Sequence, residues 1–306
     1  MKPSAIALSA LALACSGCGG GPQERTASSG AEIVACATDS VVEGLDVSEW
    51  QGSIDWAAVR NSGRAFAFIR ASDGLGHTDG TFASNWPSAR AAGVTRGAYQ
   101  YFRPSEDPVA QADLFLQLMG PPLPGDLPPA LDVEITGGLA APDLRAAVDA
   151  WSSRIGSALG RPPIVYASPG FWSQVGGGAD ADPLWEADWT SGCPSLPSSW
   201  SAWTFWQYSD AGSVEGISGT TDLDRFNGSL SSLRAFAAAA GSSAMNPSLP
   251  VPPTTCPSGD GLYCGGDGVL GISSSLYGCA AGALTLIQAC PNGCKWMPAG
   301  VDDACQ

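Results

Sequence analysis

Short apolar runs alternate with longer amphipathic, alanine-rich stretches between about residues 43 and 236. A short apolar run between turn residues is typical of a buried strand, whereas apolar positions three or four apart are typical of a helix packed on a core. The apolar runs predict strands at residues 44–50, 65–72, 96–102, 129–134, 163–167, 184–189, 204–208 and near 221–226. The amphipathic stretches predict helices at residues 54–61, 82–92, 108–119, 142–159 and 230–239.

This alternation favours an α/β fold in which a mainly parallel sheet closes into a TIM-like barrel. The start of the third helix carries a clear signal, because Asp107 suits a helix cap and Pro108 suits the first helical position. The later strands are separated by too few residues for full helices. We therefore expect an irregular barrel in which some late strands are joined directly.

Composition changes on both sides of the predicted barrel, which spans about residues 43–240. Residues 1–15 combine a lysine with a short apolar run, as an export signal does, and residues 16–42 have the composition of a flexible tether. Residues 241–255 form a linker rich in proline and serine. Residues 256–306 predict a small second domain stabilised by disulfides, a candidate for binding cell wall or sugar.

The residues before Cys15, Ala-Leu-Ala, resemble the cleavage box of a bacterial lipoprotein. Lipid attachment at Cys15 would anchor the chain to a membrane, whereas simple cleavage would release it, and both alternatives stay open. We expect an exported bacterial protein, either extracellular or membrane-anchored, with no membrane attachment other than a lipid at Cys15. We also expect a monomer.

Ten cysteines in an exported chain predict disulfides rather than metal ligands. Two of them, Cys36 and Cys193, form a possible bridge between the N-terminal arm and the barrel. The sequence leaves the connectivity open. Six of the ten lie near the C-terminal end of the sequence: Cys256, Cys264, Cys279, Cys290, Cys294 and Cys305.

The acidic residues strongly outnumber the basic ones, 29 against 14, and give a formal net charge of −15. Such a chain is repelled by the phosphates of nucleic acid, so nucleic acid is excluded as a partner. Affinity for an acidic cell wall must then come from hydrogen bonds and ring stacking. Eleven tryptophans provide surfaces for stacking.

Two carboxylates, Asp132 and Glu134, occur in the apolar run 129–135. Residues i and i+2 of a strand face the same side, so the two side chains are expected to lie close together. Repulsion between them raises one pKa, and a carboxyl group with a raised pKa serves as a general acid at neutral pH. The alternative is a strand end where the acids meet solvent or an arginine.

Other acids lie where the predicted strands end, which is the functional face of a parallel barrel. Asp46 lies in the first predicted strand, and Asp222 and Asp224 lie near the last one. Aromatic residues crowd the same ends, and acids with aromatic walls are typical of a carbohydrate cleft. Core packing is the alternative for any single ring. The aromatic residues are Trp50, Tyr99, Tyr101, Phe102, Tyr166, Trp185, Trp189, Trp206 and Tyr208.

Other chemistries find little support in the sequence. His77 is the only histidine, so a Ser-His-Asp triad is disfavoured and zinc sites with several histidines are excluded. The glycines at 74 and 76 lack the strand-to-helix context of a phosphate-binding loop. We therefore expect hydrolysis that needs neither a metal nor a cofactor.

Five segments in order along the chain resemble glycoside hydrolase family 25, the Chalaropsis-type lysozymes. Those enzymes are N-acetylmuramidases that cut the β-1,4 bond after N-acetylmuramic acid in peptidoglycan. The resemblance implies a flattened, irregular β/α barrel and peptidoglycan glycan strands as the substrate. The segments are Gly-Leu-Asp-Val-Ser-Glu-Trp-Gln at 44–51, Arg-Gly-Ala-Tyr-Gln-Tyr-Phe-Arg-Pro at 96–104, Leu-Asp-Val-Glu at 131–134, Trp-Gln-Tyr at 206–208 and Gly-Thr-Thr-Asp-Leu-Asp-Arg-Phe at 219–226.

The resemblance also implies roles for the acids. Glu134 corresponds to the general acid, Asp132 to its partner, and Asp46 and Asp222 to acids of the cleft. Two positions depart from the family pattern, because Gln100 stands where many members have histidine and Thr221 replaces an apolar residue. Residues expected to bind substrate are Tyr99, Tyr101, Tyr166, Trp189, Trp206, Gln207 and Asp224.

The leading hypothesis from the sequence is therefore an exported lysozyme in which Glu134 and Asp132 act together. A catalytically idle protein that binds wall carbohydrate is the alternative from another functional class. A third possibility is that the chain acts through its C-terminal domain as a wall-anchoring module.

Overall fold

A computed structural model of the chain describes residues 33–179 and 181–239 and parts of the C-terminal region. The predicted leader at 1–15 and the predicted linker at 241–255 lie outside the described residues. The described C-terminal residues are 261–264, 275–280, 283–289, 294–295, 297, 302 and 304–305.

Eight strands close into a barrel, because the first strand pairs with both the second and the last. Successive strands are parallel up to β7, and β8 is antiparallel to β7 and to β1. The predicted α/β barrel is thus confirmed, with an antiparallel last strand that the prediction did not contain. The strands are β1 (Val41–Val47), β2 (Phe66–Asp73), β3 (Thr95–Tyr101), β4 (Ala130–Asp132), β5 (Ile164–Ala167), β6 (Leu184–Ala187), β7 (Phe205–Gly212) and β8 (Thr221–Asn227).

Helices connect the early strands and become scarce later, as the sequence predicted. No helix separates β6 from β7 or β7 from β8 among the described residues. The third helix has the predicted bounds, with Asp107 capping the backbone N–H groups of Val109 and Ala110. The helix at 169–175 was not predicted. The helices are α1 (Trp56–Asn61), α2 (Phe82–Ala91), α3 (Pro108–Met119), α4 (Ala141–Leu159), α5 (Pro169–Val175) and α6 (Leu230–Ala238).

Large aromatic side chains fill the interior of the barrel. Phe68 stacks on Trp185 with a centroid distance of 4.2 Å, and Phe205 packs edge-on against Phe68 at 5.0 Å. Glycine makes room for these rings: a Cβ atom on Gly97 would lie 2.6 Å from the ring of Phe68. A separate apolar layer lies between the barrel and its helices, with Trp151 fully buried in it. The barrel interior is therefore a packed core.

The N-terminal arm is joined to the segment that follows β6. Ile33–Val34 pairs with Ser195–Leu196 in a two-stranded antiparallel sheet. The disulfide between Cys36 and Cys193 confirms the bridge predicted from the sequence. The part of the predicted tether that begins at residue 33 is thus attached to the barrel by strand pairing and by the disulfide. Strand β1 begins at Val41, two residues before the predicted start of the domain at 43.

The described C-terminal residues contain two small antiparallel sheets. Gly261–Cys264, Ser275–Ala280 and Ala283–Ala289 form one, and Cys294–Lys295 with Ala304–Cys305 forms the other. Cys264 and Cys305 are both in disulfides. Across the whole described part of the chain, no helix has the length and apolar character that crossing a bilayer requires.

Candidate active site

A cavity of about 180 Å³ opens at the C-terminal ends of the barrel strands. Parallel barrels carry their functional sites at this end, as expected for this chain from its sequence. Its lining residues come from seven of the eight strands or the segments that follow them. They are Asp46, Tyr99, Tyr101, Asp132, Glu134, Tyr166, Trp185, Trp189, Gln207 and Asp222.

Asp132 and Glu134 lie on the same rim of the cavity. Strand β4 ends at Asp132, which is 6% exposed, and Glu134 follows just beyond the strand at a solvent-accessible position. The backbone remains extended between them, since Val133 N–H donates to the carbonyl of Tyr166 and the Val133 side chain is buried. The two carboxylates therefore face one space although only one belongs to the strand.

The protonation of this pair is shifted towards the neutral form. Burial raises the pKa of Asp132 well above its usual value, and the negative charge of Glu134 raises it further. The nearby guanidinium of Arg70 opposes these effects on Asp132. Burial also raises the pKa of Glu134, and a hydrogen bond from the Tyr166 hydroxyl to the ionised carboxylate partly offsets that rise.

A second group of acids lies where β1 meets β8. Asp46 is directly opposite Asp222 in the antiparallel register, and Asp224 is opposite Gly44. Burial is the largest cause of a raised pKa at each of the three acids, and it brings the pKa of Asp222 to about 6. Asp46 is hydrogen-bonded to Asp222, which is possible when one of the two carries a proton.

Gln207 connects this second group to the aromatic wall. Its side-chain Nε2 donates to Asp46 Oδ2 at 2.8 Å. Its Oε1 accepts hydrogen bonds from the Tyr166 hydroxyl at 2.9 Å and from Trp189 Nε1 at 3.0 Å. Gln207 is only 3% exposed, so these three contacts fix the orientation of groups on three different strands or loops.

The tyrosines of the cavity remain protonated over the physiological range. Burial is the largest cause in each case, and it raises the pKa of Tyr99 and Tyr166 well above 10 and that of Tyr101 to about 12. The guanidinium carbon of Arg103 lies 4.7 Å from the centroid of the Tyr101 ring. The hydroxyl groups of Tyr99 and Tyr101 are therefore available as hydrogen-bond donors to a polar ligand, whereas that of Tyr166 donates to Gln207 Oε1.

Two residues predicted to bind substrate do not line the cavity. Trp206 is buried on the other side of β7, where its Nε1 donates to the carbonyl of Asp188 at 2.7 Å. Successive residues of a strand face opposite sides, so Trp206 and Gln207 cannot both point into the barrel. Asp224 is fully buried below the cavity, and its Oδ1 accepts a hydrogen bond from Trp185 Nε1 at 2.8 Å.

Trp185 lines the cavity and was not among the residues proposed to bind substrate. The signal that identifies it is strand alternation, because Trp185 is in register with Tyr166 and Phe205, which also point inwards. Gln100, which replaces a frequent histidine of the family, is fully buried away from this lining. It donates to Ser72 Oγ at 2.8 Å and accepts from Trp151 Nε1 at 2.7 Å.

The cavity can bind a neutral polar molecule and exchange protons with it. It combines four carboxyl groups with tyrosine hydroxyls and an indole ring that is 60% exposed at Trp189. Among the described residues, no group of three or more histidine, cysteine, aspartate or glutamate side chains is arranged to hold a metal ion. Sugars suit such a site, because their rings stack on aromatic faces and their glycosidic bonds are cleaved by paired carboxyl groups.

Comparison with known proteins agrees with this chemistry. A family model described as Glycosyl hydrolases family 25 matches residues 45–217. Lysozyme M1 from Streptomyces globisporus is 37% identical over 234 residues, which cover 72% of this chain and 77% of that protein. The N,O-diacetylmuramidase from Chalaropsis sp. is 33% identical over 214 residues, which cover 64% of this chain and 99% of that protein.

Solved structures show the same architecture. The crystal structure of the bacterial lysozyme from Streptomyces coelicolor aligns with a TM-score of 0.63 at 36% identity, covering 66% of this chain and 99% of that one. The structure of a family 25 lysozyme from Aspergillus fumigatus aligns with a TM-score of 0.61 at 30% identity, covering 65% and 100% of the respective chains. The chain therefore belongs to glycosyl hydrolases family 25 and is a glycoside hydrolase of the muramidase type.

Proposed function

We propose that this enzyme hydrolyses the β-1,4 bond between N-acetylmuramic acid and N-acetylglucosamine in peptidoglycan. Glu134 acts as the general acid and Asp132 as its anionic partner. The observation that carries the proposal is the pair itself, two adjacent carboxyl groups with raised pKa values on the rim of an aromatic cavity. Relatives named lysozyme and N,O-diacetylmuramidase support peptidoglycan as the polymer.

One proton shared between Glu134 and Asp132 is the active protonation state. Two adjacent carboxyl groups that repel each other lose their protons in two separate steps, so an intermediate state holds a single proton. Burial favours the proton on Asp132 in the free protein, and the positive charge of Arg70 opposes this effect. We assign the proton to Glu134 in the complex with substrate. Glu134 is the more accessible of the two to a glycosidic oxygen.

Bond cleavage then follows from these charges. Glu134 donates its proton to the glycosidic oxygen as the bond to the anomeric carbon breaks, and positive charge develops on the sugar ring. The carboxylate of Asp132 stabilises that charge until a water molecule adds to the anomeric carbon, and the proton that this water releases restores the protonated pair. Tyr99 and Tyr101 donate hydrogen bonds to the substrate, and the exposed face of Trp189 stacks on a sugar ring.

Export to the cell wall is part of the proposal, because peptidoglycan lies outside the cytoplasm. The disulfide between Cys36 and Cys193 supports it, since such bonds persist in oxidising compartments. Mass analysis of the mature N-terminus distinguishes the two fates of the leader. A diacylglyceryl group on Cys15 indicates a membrane anchor, and an unmodified shorter chain indicates release.

The residues from 256 to 306 are proposed as a separate module that binds cell wall or sugar. Paired strands and disulfide-bonded Cys264 and Cys305 support a small unit stabilised by disulfides. Deletion of residues 241–306 is expected to reduce retention on purified wall and to leave the turnover of short soluble glycans unchanged. Equal retention by the full and shortened proteins would refute the module's role.

Glu134→Gln tests the catalytic assignment. The substitution keeps the size of the side chain and removes its proton, so we expect an unchanged fold and at least a hundredfold loss of turnover on purified peptidoglycan. Asp149→Asn, an exposed acid on α4, serves as the matched control and should retain full activity. Mass analysis of the released fragments after reduction identifies the sugar at the new end.

The outcomes separate the hypotheses clearly. Reduced muramic acid at the new ends supports the proposed bond, whereas reduced glucosamine would overturn it. A wild-type protein that binds purified wall and releases no fragments would be an idle carbohydrate-binding protein. Full activity in Glu134→Gln would reject Glu134 as the general acid.

A further inference from the structure

Trp50 is the most exposed large hydrophobic side chain among the described residues, with 79% of its surface accessible. Tryptophan side chains bury more apolar surface than most others when they pack, and leaving one in water forgoes that stabilisation. Among the other tryptophans in the described part of the chain, only Trp189, a wall of the cavity, approaches this exposure at 60%. The high exposure of the Trp50 indole ring is therefore a feature that calls for an explanation.

The short turn that carries Trp50 is held by an extensive set of hydrogen bonds. Glu49–Gln51 is a single turn of 3₁₀ helix that begins with a capping box. The Ser48 hydroxyl accepts a hydrogen bond from the Trp50 N–H, and the Gln51 side chain accepts one from the Ser48 N–H. Glu49 N–H donates to Asp79 Oδ2 at 2.8 Å, and the Glu49 carboxylate pairs with Arg70 at 3.2 Å. The backbone of Trp50 is thus fixed while its ring extends into solvent.

This turn lies beside the acid-lined cavity. It follows β1 directly, and Trp50 is four residues beyond Asp46, so their Cα atoms are at most about 14 Å apart. Gln51 Nε2 donates to the carbonyl of Thr220, which is two residues before Asp222. The turn is therefore joined to both strands that supply the acids of this side of the cavity.

The cavity itself is too small for a long glycan. Its volume of about 180 Å³ is below the range of roughly 300–1,000 Å³ that is typical of sites for drug-sized ligands. A polymeric sugar bound at Glu134 must therefore continue across the rim, over surface outside the cavity. An exposed ring on a backbone that is already fixed can stack on a sugar at that rim without the cost of ordering the turn.

We propose that Trp50 forms a distal sugar subsite, on which a ring of the bound glycan strand stacks outside the acid-lined cavity. The ligand class is a long glycan backbone, and the subsite selects polymeric over short substrates. This inference rests on the proposed function, since it assumes that glycan is cleaved at Glu134 and Asp132.

The test compares two substrates that differ only in length. Peptide-free glycan strands extend over the turn, whereas the disaccharide of N-acetylmuramic acid and N-acetylglucosamine carries only the two sugars that flank the cleaved bond. For Trp50→Ala we expect KM on the long strands to rise about tenfold with kcat unchanged, and both constants on the disaccharide to remain those of the wild type. Trp50→Phe should restore most of the affinity because it keeps an aromatic face.

A matched control is Leu123→Ala, an exposed apolar residue in the segment between α3 and β4 at the opposite end of the barrel. It should change neither constant on either substrate. Equal constants for Trp50→Ala and wild type on long strands would overturn the subsite, as would an equal loss on both substrates. A defect seen on intact peptidoglycan and absent on peptide-free strands would also overturn it, because the occupant would then be a peptide.

Failure of the proposed function gives a different result. In that case the wild-type protein releases no ends with reduced muramic acid from either substrate. Cleavage of both substrates by the wild type, together with unchanged kinetics in Trp50→Ala, rejects the subsite and leaves the muramidase assignment intact.

Discussion

Removal of one acid from the cavity should make the protein more stable at neutral pH. Burial, the charge of Asp210 and the charge of Glu134 all oppose ionisation of Asp222 and raise its pKa from 3.8 to about 6. Asp222→Asn abolishes this titration and keeps a side chain of the same shape. The new amide can still donate a hydrogen bond to Asp46, as the protonated acid does.

The magnitude follows from the displaced pKa. A carboxyl group whose pKa is raised in the folded state stabilises that state below its usual pKa, and this contribution is lost as the pH rises through about 6. The whole rise in the pKa of Asp222 corresponds to a change of roughly 3 kcal/mol in the free energy of unfolding, and partial contact of the side chain with water reduces this change to about 2 kcal/mol. We therefore expect Asp222→Asn to match the wild type at about pH 4 and to exceed its stability by about 2 kcal/mol at about pH 8.

Urea unfolding followed by tryptophan fluorescence at both pH values measures this difference, with the disulfide kept intact. Asp149→Asn, the exposed control on α4, should show the same pH dependence as the wild type. Activity on peptidoglycan should fall in Asp222→Asn even as stability rises, which is typical of a destabilising group kept for function. The reasoning is refuted if the stability of Asp222→Asn declines between the two pH values as much as that of the wild type.

Three further predictions concern groups around the cavity. Gln207→Leu removes a buried hydrogen bond to a carboxyl group and leaves buried partners unsatisfied, so urea unfolding should show a loss of about 3 kcal/mol. Replacement of both Cys36 and Cys193 by serine opens a link across 157 residues and should lower the free energy of unfolding by roughly 4 kcal/mol, with an unchanged value counting against it. Tyr166→Phe removes a hydrogen bond to ionised Glu134, so the alkaline limb of the pH–kcat profile should move to higher pH, and a shift to lower pH would contradict this.

The secondary structure of the early part of the barrel could be predicted from the sequence because its helices carry strong local signals. Asp107 and Pro108 mark the start of α3, and the observed helix has the predicted bounds. The antiparallel direction of β8 had no such local mark. It follows from the eight residues between Gly212 and Thr221, since a connection this short returns the chain next to the strand it has left.

The site could be predicted as a set of acids at strand ends, and the structure brings Asp46, Asp132, Glu134 and Asp222 to one cavity. Individual aromatic residues were harder to assign. An aromatic near a strand end points into the barrel or under a helix according to the strand's register, and composition alone does not give that register. Trp206 and the neighbouring inward-facing Gln207 illustrate this dependence.

The packed rings inside the barrel close the cavity on the side that faces the core. Phe68 stacked on Trp185 forms a floor, and the absence of a side chain at Gly97 lets that floor close. A sugar chain therefore cannot thread through the barrel from one end to the other. If the substrate is the glycan that we propose, its chain lies across the mouth of the cavity, and this geometry lets the enzyme engage the middle of a strand without first finding its end.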